Sequence, residues 1–150
     1  MKLAEALQER ADLNRRIEQL RARLSNNALV QEGENPAENP EELLVELDAC
    51  ISRLEELMAK INLTNCKTVV DGKTLTELIA QKDTLTLKIA SYRDLIDFAS
   101  RIAQRATRSE IKIMSAVDVK ALQKKTDEMA KQLRLIDNTI QQTNWTTELT

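Results

Sequence analysis

Leu43-Leu44-Val45-Glu46-Leu47-Asp48-Ala49-Cys50-Ile51-Ser52-Arg53-Leu54-Glu55-Glu56-Leu57-Met58-Ala59-Lys60-Ile61 is the stretch from which the architecture follows. Leu44, Leu47, Ile51, Leu54, Met58 and Ile61 recur at alternating steps of three and four, filling every a and d position of a heptad. Such steps line up on one side of a helix and cannot be matched to the two-residue period of a strand. Leu43, Cys50 and Leu57 add the adjoining g positions, so the stripe is too wide for a single neighbour. Just upstream, Asn39 is placed to cap a helix whose first residue is Pro40, with Glu41 and Glu42 where the helix dipole favours negative charge.

The same pattern extends in both directions. Leu3, Ala6, Leu13, Ile17, Leu20 and Leu24 form a first stripe interrupted by Arg10 and Asn27. A third begins at Leu75 behind the capping box Thr74-Leu75-Thr76-Glu77, and a fourth begins at Val119 behind Asp118, a second candidate cap, and is broken at Thr126. With the four registers set at Leu3, Leu44, Leu75 and Val119, 27 of 31 a and d positions are apolar. About 13 would be expected from a hydrophobic fraction of 42%, so helix packing is encoded throughout.

Between the stripes, residues 30–39 hold Pro36 and one of the two glycines in an acidic run without periodicity that ends against Pro40, which reads as a loop. Asp71-Gly72 is a turn signal, and Thr68-Val69-Val70 before it suits a minor extended piece. Residues 108–114 alternate polar and apolar and suit an extended connection. The expectation is one helical domain over residues 1–150 with helices at about 2–27, 40–62, 75–106 and 119–142. The third would be the longest, roughly 48 Å at about 1.5 Å per residue. Asn62, Thr64 and Asn65 could close the second helix by side-chain hydrogen bonds, and Trp145 could anchor the C-terminal tail.

Composition narrows the chemistry. One Trp, one Tyr and one Phe leave the core to aliphatic residues, which argues against an all-β fold. With no His, Ser-His and Cys-His pairs are excluded, and Cys50 and Cys66 lack metal-type spacing and read as buried thiols. No P-loop or dinucleotide fingerprint occurs. The enzyme class that survives is a carboxylate-metal hydrolase of the helical nucleotide-pyrophosphatase kind, with Glu9 and Asp12, Glu38 and Glu41, or Asp94 and Asp97 as candidate pairs. In these registers neither the first nor the last pair points into a shared core. The expectation is therefore no metal site, no cofactor and no catalytic residue.

Charge is uneven: +2 over residues 1–24, −7 over 25–62, +3 over 63–108 and 0 over 109–150. An acidic second helix beside basic neighbours favours antiparallel or intersubunit pairing of opposite faces. Arg15, Arg16, Arg21 and Arg23 form the densest basic patch, which leaves a nucleic-acid-binding arm as a second alternative, weakened by the acidic balance and the absence of interleaved aromatic residues. The absence of a long apolar run supports neither a signal peptide nor a membrane span, so a cytoplasmic location is expected.

The opening Met1-Lys-Leu-Ala-Glu-Ala-Leu-Gln-Glu-Arg-Ala-Asp-Leu13, Val30-Gln-Glu-Gly-Glu-Asn-Pro36, Ile61-Asn-Leu-Thr-Asn65, Thr74-Leu-Thr-Glu-Leu78, Arg108-Ser-Glu-Ile-Lys112 and Asn144-Trp-Thr146 occur in an order and spacing that resembles a family of short bacterial helical proteins labelled septicolysin, of unestablished function. The resemblance covers almost the whole chain and supplies no catalytic motif. The label implies a pore-forming toxin, but the sequence holds no amphipathic strand pair or Trp-rich loop of the kind a cytolysin inserts.

These readings converge on an all-α, antiparallel four-helix bundle of coiled-coil-like helices whose long third member overhangs and is covered by oligomerisation. Leu87, Leu95, Phe98, Ile102 and Leu135 are the expected self-association residues, lying off the primary stripes. Arg108, Glu110 and Lys112 are the candidate lining of a pocket formed in the oligomer. The function expected is that of a self-associating helical scaffold or binding protein, a homo-oligomer with no membrane or nucleic-acid partner and an unknown ligand.

Overall fold

The computed structural model describes residues 1–101 and 111–150. The protein is all-α among these residues, with four helices and one two-residue-per-strand sheet. The helices are α1 (Leu3–Asn26), α2 (Pro40–Lys67), α3 (Leu75–Ala99) and α4 (Val119–Thr146), and strands β1 (Val69–Val70) and β2 (Lys73–Thr74) lie between α2 and α3. The chain divides into two compact units. Met1–Val70 with Thr143–Thr150 make unit 1, and Asp71–Gln142 make unit 2.

In unit 1, α1 and α2 form a hairpin held by the fully buried Leu3, Ala6, Leu20, Leu57 and Ile61. Each large aliphatic side chain removed from water in this way contributes about 1.5–3 kcal/mol. Asn27, which interrupts the first stripe, ends the helix. Its amide nitrogen donates to the Arg23 carbonyl at 2.8 Å, and its side-chain oxygen accepts from Glu38 N at 3.0 Å, drawing the returning loop against α1. Asn39 caps α2 as its position suggested, accepting from Glu41 N at 3.0 Å ahead of Pro40.

Two local expectations for the second helix need correction. It does not close at 62 but continues to Lys67, and Thr64 lies inside it rather than at its end. The Thr64 side chain is buried, and its hydroxyl returns a hydrogen bond to Lys60 O at 2.8 Å, which lets a polar residue sit in the core without an orphaned group. Thr64 also receives Thr150 N at 3.0 Å, fixing the end of the C-terminal tail. That tail runs antiparallel to the start of the chain, with Leu3 N donating to Thr147 O and Leu149 N to Met1 O, both at 2.9 Å. Trp145 is more than half exposed, so backbone pairing rather than the indole secures the tail.

The turn after β1 is built as Asp-Gly predicts. Asp71 and Gly72 take φ of 50° and 81°, the left-handed pair that a two-residue hairpin turn requires. In unit 2 the capping box forms at the start of α3, with Glu77 N donating to Thr74 Oγ1 at 3.2 Å and Thr74 N to Glu77 Oε2 at 2.7 Å. Leu75, Leu78 and Ile89 of α3 and Met129 and Ile140 of α4 are buried. Lys82, at a core-type position, bonds Asp137 of α4 at 2.5 Å, and Lys125 lies 5.3 Å from the Tyr92 ring centre, so the two helices run antiparallel. Thr126, the break in the fourth stripe, is buried with its hydroxyl returned to Leu122 O at 2.8 Å. Asp118 caps α4 through Ala121 N at 3.0 Å.

The third helix stops at Ala99, short of the expected 106 and shorter than α2 and α4. Ser100 ends it: its N and Oγ both donate to Ile96 O, while Arg101 N turns back to Phe98 O at 3.3 Å, tightening the last turn. Asp97 also places a negative charge at the unfavourable end of the helix dipole, where Arg101 answers it at 2.5 Å. The overhang inferred from a 32-residue helix therefore does not arise, and residues 102–106 lie outside the described residues.

Candidate self-association surfaces

The α1–α2 hairpin has two unlike edges. One is closed by three carboxylate–arginine pairs that cross between the elements. Glu9 is gripped by Arg53 at 2.7 and 3.0 Å, Glu46 by Arg16, and Glu38 by Arg23. On α1 these residues are separated by one heptad each, and the α2-side partners run in the reverse order, which fixes the helices as antiparallel. The Arg53 guanidinium holds the Glu9 carboxyl below its ordinary range, and Arg23 does the same for Glu38. Each pair is over one-third exposed on at least one side, so solvent screens it and it acts mainly to set register.

The other edge is open and apolar. Leu44, Ile51 and Met58 are 46%, 46% and 47% exposed, at seven-residue intervals along α2. These are the a positions assigned above to the core. The core of unit 1 instead takes the g column, where Leu43, Leu57 and Thr64 are buried and Cys50 is half-buried. Three adjacent apolar columns allow a single neighbouring helix to cover only two of them. The sequence signal that could have marked the open column was present: Asp48 and Glu55 stand beside it at e positions, without an ion-pair partner among the described residues.

In unit 2, Leu87 and Phe98 are 68% and 64% exposed and lie three turns apart on the side of α3 opposite Leu78 and Ile89. Leu95 on α3 and Leu135 on α4 are also exposed. Leu95 and Phe98 border an apolar hollow of about 280 Å³ with Ile113, Met114 and Val117. Of the residues proposed for self-association only Ile102 lies outside the described residues. Arg108 and Glu110, proposed pocket lining, lie outside them too, and Lys112 is exposed away from the lining of this hollow.

The alternative chemistries meet a different arrangement. Glu9 is engaged by Arg53, Asp12 by Arg15, Glu38 by Arg23 and Asp97 by Arg101. Glu9 and Asp12 are thus divided between separate cations, and Glu38 and Asp97 are each taken by an arginine that does not engage Glu41 or Asp94. Among the described residues no three His, Cys, Asp or Glu side chains are grouped to hold a metal ion. All four arginines of the basic patch are likewise taken, Arg15 by Asp12, Arg16 by Glu46, Arg21 by Glu18 and Arg23 by Glu38. A polar hollow of about 340 Å³ beside Arg23, Glu42 and Glu46 is bordered by these same pairs. Cys66, expected to be buried, is exposed, and Cys50 is half-buried. Among the described residues no helix is long and apolar enough to cross a membrane.

A family of unknown function, DUF6847, matches residues 10–149. The chain belongs to this family. A crystal structure of a functionally unknown conserved protein from Corynebacterium diphtheriae is similar to this DUF6847 member, with a TM-score of 0.92 and 42% identity over 100% of this chain and 99% of that one. No curated protein matches. The coarse content of the resemblance drawn from the sequence, a helical protein of unestablished function, agrees with both findings, and neither carries the septicolysin label.

Proposed function

We propose that this DUF6847 protein is a self-associating helical scaffold or binding protein. The observation that supports this reading is the open apolar column of α2, Leu44, Ile51 and Met58, spaced as a coiled-coil seam yet lacking a partner helix among the described residues. Leaving three such side chains half in water forgoes about half of the roughly 1.5–3 kcal/mol each would contribute when buried. The exposed Leu87, Leu95, Phe98 and Leu135 of unit 2 extend the same argument to a second surface. A cytoplasmic setting goes with this reading.

The carboxylate-metal hydrolase and the nucleic-acid-binding arm draw less support, because one or both members of each candidate carboxylate pair and all four arginines are already paired with opposite charges. The pore-forming role implied by the septicolysin label has no corresponding amphipathic strand pair in the sequence. Light scattering over a wide concentration range tests the proposal. The expected result is a mass above the 17.0 kDa of one chain, and a constant 17.0 kDa at every concentration would overturn it.

A further inference from the structure

We infer that the open edge of the α1–α2 hairpin pairs with the same edge of a second copy, about a two-fold axis parallel to the helices, so that each α1 lies on the partner's α2. This inference rests on the self-association reading and specifies its partner and orientation.

The argument begins with the charges left over inside one hairpin. Of the five arginines of α1, Arg15, Arg16, Arg21 and Arg23 have carboxylate partners, and Arg10 has none among the described residues. On α2, Glu46 and Glu56 are paired, whereas Asp48 and Glu55 have no ion-pair partner among the described residues. Helical geometry puts these unpaired groups on the open edge. At about 100° per residue, Arg10 lies next to the half-buried Ile17 on α1, and Asp48 and Glu55 lie just outside Leu44, Ile51 and Met58 on α2. A cation borders the apolar column on one helix, and two anions border it on the other.

Two face-to-face arrangements have two-fold symmetry. An axis perpendicular to the helices stacks α1 on α1 and α2 on α2, bringing like charges together. An axis parallel to the helices stacks α1 on the partner's α2 at equal height. The crossed pairs within the hairpin set that height, because Glu9 is level with Arg53 and Arg16 with Glu46. Arg10 then stands level with position 52 of the partner, within about one helical turn of both the partner's Asp48 and the partner's Glu55. Charge complementarity selects the second arrangement.

The size fits as well. Along α1 the open edge runs over residues 9–24, about 24 Å, and two helices side by side present a width of about 20 Å. That is roughly 500 Å² per copy, or about 1,000 Å² in total, which reaches the area a specific interface needs when its surfaces are complementary. Leu44, Ile51 and Met58 would fill the centre, with the charges at the rim.

Analytical ultracentrifugation of the full chain and its variants tests the inference. The wild type is expected to sediment as a dimer. Leu44→Glu with Ile51→Glu should give a monomer of unchanged helical circular dichroism, since both positions are already half exposed, whereas Leu87→Glu with Phe98→Glu should remain dimeric. Arg10→Glu alone should weaken dimerisation about fivefold or more. Adding Asp48→Lys and Glu55→Lys to the same chain should restore it, which only the α1-on-α2 arrangement allows. A dimer that survives Leu44→Glu with Ile51→Glu, or an Arg10→Glu variant as tight as wild type, would overturn this interface while leaving self-association standing. A wild type that is monomeric at all concentrations would overturn both.

Discussion

Thr74 stands at the start of α3, its hydroxyl accepting from Glu77 N while Glu77 bonds back to Thr74 N. Thr74→Ala leaves the helix's first amides without that acceptor, and the expected cost is about 1 kcal/mol in urea denaturation followed by circular dichroism. Acid should act on the carboxylates in the same way that mutation acts on the cap. Glu9, Glu38 and Glu56 are held below their ordinary range by hydrogen bonds from Arg53, Arg23 and Lys60 respectively. A depressed folded-state value stabilises above the unfolded value near 4.3 and is lost as pH falls through the folded one, so melting temperature should be flat down to about pH 4.3 and decline below it. Added salt should shrink the decline, because these pairs are exposed to solvent. Residue-scale features such as Asn39, Thr74, Asp118 and Asp71-Gly72 were legible because each acts on a backbone within four positions of itself. The roles of Asn27, Thr64 and Lys82 were not, because their partners Glu38, Thr150 and Asp137 are set by the fold.

At the scale of elements, the core of the hairpin runs through the g column of α2. Leu57, fully buried, should cost about 2–5 kcal/mol as Leu57→Ala, whereas Leu63, exposed on the same helix and off the open edge, should cost less than about 0.5 as Leu63→Ala. Denaturant titration of the two variants checks this contrast, and equal losses would refute the register. Heptad spacing located all four helices, since any helix burying one side must show it. It could not say which two of three apolar columns face the chain's own neighbour, because Leu43, Leu44 and Leu47 are equally apolar. Nor could spacing mark the end of α3, where Ile96 and Ala99 continue the stripe but Ser100 competes for the carbonyl of Ile96.

For the whole molecule, the joining of residues 1–3 to 147–150 matters most. Thr64→Val removes the hydroxyl that receives Thr150 N while keeping the shape of the side chain. Amide exchange at Thr150 and Leu149 should then accelerate severalfold by about the free energy of one net hydrogen bond, with α3 amides unaffected. Unchanged protection would show that the backbone pairing alone holds the tail. The candidate surfaces were legible in the sequence as apolar residues in excess of one core. Their location was not, since Leu87 and Phe98 were recognisable as off-stripe residues, whereas Leu44, Ile51 and Met58 read as the stripe itself.

The tie between Leu3 and Thr147 also orders events during synthesis. The α1–α2 hairpin leaves the ribosome more than seventy residues before the strand-like tail that completes it, so the nascent hairpin must wait with Leu3 N and the Thr64 hydroxyl lacking their hydrogen bonds to the tail. Its last stabilising contacts form only after translation of the remaining segments, and a chain interrupted before Thr143 would release a hairpin lacking them. Premature termination should therefore yield an aggregation-prone fragment rather than a shorter working protein.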